Sequence, residues 1–66
     1  MAKEIKPMIK LTIIRKQKKM TQGMLAERLG LSSATVSQYE RGVRNPNIAI
    51  LTKIAKVLEC TVNDLV

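Results

Sequence analysis

Sixty-six residues allow one domain with one small core, and twelve Lys and Arg against five Asp and Glu leave a formal charge of +7, which favours a polyanionic partner. With no histidine, a single cysteine (Cys60) and a single aromatic (Tyr39), the chain has no intramolecular disulfide, no cysteine or histidine metal site and an aliphatic core. No apolar run approaches the ~18 residues of a membrane span and no signal-peptide apolar segment follows Lys3 and Lys6, so a soluble, intracellular protein is expected.

Residues 1–7 read as an N-terminal tail or arm, because they are short and charged and because Lys6 precedes a proline, which biases it away from helix. Lys3 and Lys6 either follow a polyanion or stay free of it. The domain proper is expected over 8–66. Pro7 suits the first turn of a helix, and Met8, Leu11, Ile14 and Met20 with lysines between them predict helix 1, ending near Lys18. Lys10, Lys16, Lys18 and Lys19 then form a solvated face that attracts anions at long range, with direct contact to the polyanion expected from one of them.

Thr21 is the expected cap of helix 2, whose apolar residues Met24, Leu25, Ala26 and Leu29 form one face until Gly30 stops it. Ser32 caps helix 3, from Ser33 to about Arg41, with Val36 and Tyr39 turned inward. The turn-rich segment from Gly42 to Pro46 leads to Asn47, the expected cap of helix 4, along which Ile48, Leu51, Ile54, Ala55 and Leu58 make a stripe. Thr61 and Asp64 form a capping-box-like pair for a short fifth helix ending in Leu65, and Cys60 reads as a small buried filler. No strand pattern and no internal repeat interrupt this series, so the fold class is all-α, a compact five-helix domain.

Residues 1–44 hold ten of the twelve basic residues and three of the five acidic ones, so the positive excess lies wholly in the first two thirds. That part contains Gln22 to Arg41, where two helices meet through a very short corner. A steep crossing needs a small residue at close approach, a glycine at the bend and an apolar contact beyond it. Ala26, Gly30 and Val36 stand at those places.

Through Arg15, TQGMLA, LGLSSATVSQYERG, NPN, LTKIAKVL and TVNDLV, the stretch from about Leu11 to Val66 resembles the phage repressor and Cro group of helix-turn-helix regulators, the XRE-like family. The resemblance implies a five-helix domain that places helix 3 in the major groove of double-stranded DNA, with helix 2 over the backbone and the next loop on phosphates. It implies that Gln22 touches phosphate, and that Ser33, Ala34, Ser37 and Gln38 face base edges, with Ser32 and Thr35 placed for backbone or flanking contacts. Gln38 can pair bidentately with adenine and the Ala34 methyl can rest on a thymine methyl. Ser33, Ala34 and Ser37 equally suit any exposed helix.

Arg41, Arg44 and Asn45 are expected on the DNA backbone. Arg15 and Glu40 match a pair that bridges helix 1 and helix 3 in the family, so their expected role is structural. Tyr39 reads as core filler, its hydroxyl within possible reach of a phosphate. Gly23 departs from the family pattern, which has a good helix former there, and leaves the front of helix 2 less rigid.

The expected activity is sequence-specific DNA binding in transcriptional regulation, as a repressor on a palindromic operator. A core this small supplies only ~3–5 kcal/mol, which with disulfides and metals excluded points to a homodimer. Val62, Leu65 and Val66 either form its interface or close the monomer core. No cofactor, metal, membrane or small-molecule ligand is expected, and the setting implied is the cytoplasm, on the nucleoid, of a prokaryote or phage. Catalysis is disfavoured by the missing histidine and the absence of a phosphate loop or paired carboxylates. A rival reading keeps the fold and replaces the operator with a protein partner, as an antitoxin or antirepressor does.

Overall fold

The computed structural model describes residues 7–66. Within them five helices follow one another without a strand: α1 (Ile9–Gln17), α2 (Gln22–Leu29), α3 (Ser33–Arg41), α4 (Ile48–Val57) and α5 (Val62–Leu65). The expected tail, with Lys3 and Lys6, lies outside the described residues save for Pro7.

Side-chain caps fix four of the five starts. Thr21 Oγ1 accepts from the Met24 N–H at 3.1 Å, Ser32 Oγ from Thr35 N–H at 3.2 Å, and Asn47 Oδ1 from Ile50 N–H at 2.8 Å. At α5 the capping box is complete, with Asp64 Oδ2 accepting from Thr61 N–H and Thr61 Oγ1 from Asp64 N–H. α1 has no side-chain cap. Pro7 stands two residues before its first helical position instead of inside its first turn, and the Met8 N–H donates to the Glu40 carbonyl at 3.2 Å. The start of α1 is thus set by a tertiary contact with the end of α3.

The helix stops share one chemistry. After α2, Gly30 takes φ 71°, its N–H donates to the Glu27 carbonyl, and Leu31 N–H reaches back to Ala26. Gly42, at φ 78°, ends α3 in the same way, with Val43 N–H on the Gln38 carbonyl. Lys19 and Glu59 adopt φ 57° and close α1 and α4 through the same pair of bonds, although neither is glycine. A side chain held there costs about 1–2 kcal/mol, which the surrounding packing offsets.

Leu11, Leu25, Leu29, Val36, Tyr39, Ile54, Leu58 and Leu65 meet in one aliphatic core with Ala26 and Ala55. Burying each large aliphatic side chain contributes about 1.5–3 kcal/mol. α2 packs most extensively on α3, and Ala26 and Val36 are both buried, so the corner at Gly30 has the close contact its sequence predicts.

Three expected core positions differ. Met24 is 47% exposed because it lies off the face formed by buried Leu25, Ala26 and Leu29, and Ile48 is 73% exposed as the first residue of α4. Cys60 is half-buried and packs against the core edge, and burial, followed by the charge of Asp64, raises its thiol above the usual range. At the end of the chain Leu65 closes the core, Val62 is half-buried against it and Val66 is exposed. No helix among the described residues is long and apolar enough to cross a membrane.

Candidate nucleic-acid interface

The front of α3 is open to solvent. Ser33 and Ala34 are exposed, and Thr35, Ser37 and Gln38 are half-buried beside them, while Val36 and Tyr39 anchor the opposite side in the core. The helix periodicity makes this division, since Val36 and Tyr39 lie three apart on the inner face. Ser32 and Thr35 bond to one another at 2.9 Å through their hydroxyls, so both are first of all parts of the α3 cap. The Gln38 side chain has no hydrogen bond among the described residues. Its backbone carbonyl accepts from Val43 and Arg44 N–H at 3.0 and 3.3 Å, which folds the loop after α3 back against the helix. Arg41, Arg44 and Asn45 stand exposed around that fold.

The one carboxylate on α3 is withdrawn from this surface. Glu40 is 8% exposed and Arg15 7% exposed; Arg15 Nε donates to Glu40 Oε2 at 2.6 Å and Nη2 to Oε1 at 3.2 Å. Arg15 Nη1 also donates to the Met20 carbonyl at 2.7 Å, tying the α1–α2 connection to the same pair. Gln22 Nε2 donates to Glu40 Oε1 at 2.9 Å. The structure therefore brings Gln22 into the Arg15–Glu40 cluster and leaves it half-buried, instead of setting its amide free at the front of α2. Sequence reasoning missed the Gln22 and Met20 bonds, since the first depends on how α2 packs on α3 and the second on how the chain turns after α1.

Burial alone would push the Glu40 carboxyl up, but hydrogen bonds from Arg15 and Gln22, the Arg15 charge and Thr12 outweigh it and hold the group below its ordinary 4.5. A folded-state value lower than the unfolded one contributes stability above the unfolded value, and this is lost as pH falls through the folded one. Melting temperature should thus fall as pH drops below 4.5. A pH series of thermal melts checks this, with Glu40→Gln expected to start lower at neutral pH and to lose part of that acid dependence.

The exposed lysines in and just after α1 divide by partner. Lys10 Nζ donates to the Val66 carbonyl at 3.0 Å and Lys18 Nζ lies 3.5 Å from Glu59 Oε1, so both turn towards the α4–α5 end. Lys16 and Lys19 are exposed. Beside the loop after α3, Pro7, Met8, Ile9, Lys10, Asn45, Pro46, Leu51, Leu65 and Val66 line a mainly apolar groove of about 560 Å³.

The sequence model of the helix-turn-helix family HTH_3 matches residues 11–65. The HTH-type transcriptional regulator YqaE of Bacillus subtilis is 37% identical over 51 residues, which are 77% of this chain and 44% of that protein. An HTH-type transcriptional regulator of Mycobacterium tuberculosis is 53% identical over 34 residues, 52% of this chain and 24% of its own. The chain thus spans less than half the length of the curated relatives it matches. Among solved structures, the restriction-modification controller protein C.AhdI of Aeromonas hydrophila superposes with a TM-score of 0.82 at 31% identity, over 88% of this chain and 84% of the other. The clp gene regulator ClgR of Corynebacterium glutamicum also reaches 0.82, at 28% identity, over 86% of this chain and 61% of its own.

Proposed function

The chain belongs to the helix-turn-helix family HTH_3, and from that premise we propose that it binds double-stranded DNA sequence-specifically and regulates transcription, as a repressor that occludes a promoter rather than as an enzyme. The observation that carries this reading is the α3 front. Short side chains at Ser33, Ala34 and Ser37 let the helix approach base edges closely, and half-buried Gln38 stands one turn after Ala34. Exposed Arg41 and Arg44 flank it with Asn45, and the only acid of the helix is buried against Arg15. Ser32 and Thr35 remain near enough to serve flanking sugar and phosphate, their hydroxyls keeping acceptor capacity beyond the cap.

The reading includes a homodimer that sets two copies of α3 in successive major grooves of a palindromic operator, about one turn or ~34 Å apart. Val62 packs against the core, while Leu65 and Val66 line the apolar groove beside the α3–α4 loop, which makes that groove the better interface. We assign it to a second copy of this chain. Ile9 and Val66 line it, exposed Ile48 lies three residues before lining Leu51, and Asn45 makes it continuous with the DNA-facing loop. Docking of an unrelated protein on that groove, with no operator, is the antitoxin-like outcome.

Two substitutions test the contact assignment. Gln38→Ala should lose ~1–3 kcal/mol on the best duplex and relax the sequence preference at one base pair, whereas Arg44→Ala should weaken all duplexes alike and reduce the salt slope by ~1. Footprinting titrations at several salt concentrations separate the two. Equal losses for both variants on every duplex contradict the assignment.

A further inference from the structure

The Glu40 carboxylate is held from two helices at once. Arg15 reaches it from α1, and Gln22, the first residue of α2, reaches it from the other helix of the helix-turn-helix unit. Glu40 lies seven residues after Ser33, and a heptad drifts only ~20° around a helix, so the held carboxylate and the first base-facing side chain share one line along α3. Fixing one end of that line fixes the direction in which the other end points.

Gln22 has two amide N–H groups and one carbonyl oxygen. One N–H donates to Glu40 Oε1 at 2.9 Å, the second sits on the same planar nitrogen with its direction set by that bond, and the carbonyl oxygen is an acceptor that repels a phosphate. Its bond to Glu40 is charge-assisted, and such bonds are roughly twice as strong as neutral ones. Release of that donor to a phosphate would exchange one anion for another and loosen α3 at the same time.

We infer that Gln22 is a positioning residue for sequence readout: by donating to Glu40 it sets the rotation of α3 against α2, and its contribution to DNA binding comes through α3 instead of through a phosphate of its own. This rests on the DNA-binding reading above. It differs from the role that family resemblance implies for Gln22. A phosphate ligand acts on every duplex to the same degree, while a positioning residue acts on the duplex whose bases α3 reads. The two roles therefore separate by the ratio of specific to nonspecific binding.

The test uses the full chain, the best duplex recovered from a random pool and a scrambled duplex of the same composition. Gln22→Met keeps the side-chain length without a donor, and Gln22→Ala removes it. Both should bind the recovered duplex about three- to tenfold more weakly, the loss of one hydrogen bond, and the scrambled duplex less than about twofold more weakly. A carbon-13 titration of the Glu40 carboxyl, without DNA, should move to higher pH in both variants, because a bond to the ionised form is gone. Equal losses on both duplexes, no loss on either, or an unmoved Glu40 midpoint overturns the inference. If the wild-type chain itself distinguishes no duplex, the DNA-binding reading fails and takes this inference with it; discrimination by the wild type with equal losses in the variants overturns this inference alone.

Discussion

Arg15→Ala should leave the chain largely unfolded at 25 °C. The substitution removes both bonds to Glu40 and the bond to the Met20 carbonyl, and it strands a carboxylate that is 8% exposed. Breaking a buried pair by deleting one partner costs about 3–5 kcal/mol, and a core of this size supplies only about 3–5 kcal/mol in all. The loss is of the same size as the whole stability. Far-UV circular dichroism during a urea titration reads the outcome directly. A variant with a midpoint close to that of the wild type would mean that Arg15 and Glu40 are solvated, and that α3 is held by its apolar contacts alone. Replacement of both partners by apolar residues of similar volume is a separate matter, since that removes the stranded charge and can be near neutral.

The second large effect lies one helix away and is sharpened by its neighbour. Leu25 is 0% exposed and Met24 47% exposed, although both belong to the same apolar run of the sequence. Leu25→Ala should cost about 2–5 kcal/mol, the transfer of the side chain plus the cavity left between α2 and the rest of the core. Met24→Ala should stay within about 0.5 kcal/mol, as surface substitutions do. Denaturation midpoints of the two variants side by side give the comparison. Similar losses at both positions would show that α2 is rotated from the position described, and Ala26 would then not face α3.

The fold was legible where the sequence carries its own punctuation. Thr21, Ser32, Asn47 and Thr61 announce helix starts because each supplies a side-chain acceptor at the N-cap, and each makes that bond. Gly30 and Gly42 announce two stops because they take left-handed backbone without strain. Lys19 and Glu59 make the same kind of stop and gave no local signal, since only tertiary packing holds a side chain there. The start of α1 was misplaced at Pro7 for the same reason: it is set by the Glu40 carbonyl, far along the chain. Apolar spacing turns Met24 and Ile48 inward, but it fixes neither the edge of the buried face, where Met24 lies, nor the helix end at Ile48.

The site shows the same division. Spacing around Ala26, Gly30 and Val36 located the corner, and family resemblance paired Arg15 with Glu40. Neither revealed that Gln22 reaches the same carboxylate, because a hydrogen bond eighteen residues apart leaves no periodic trace. Lys10, Lys16, Lys18 and Lys19 are all exposed, as a solvated face requires, and the reach of Lys10 and Lys18 to Val66 and Glu59 depends on elements whose placement the sequence does not state.

Selection of bound duplexes from a random pool, by the full chain at near-physiological salt, tests most directly whether the exposed front of α3 reads DNA. The account predicts one enriched sequence with two-fold symmetry and half-site centres about one turn, ~34 Å, apart. It also predicts that Gln38→Ala enriches the same site with one position in each half relaxed. A pool that stays random, while its overall retention falls with salt as for nonspecific binding, would contradict it.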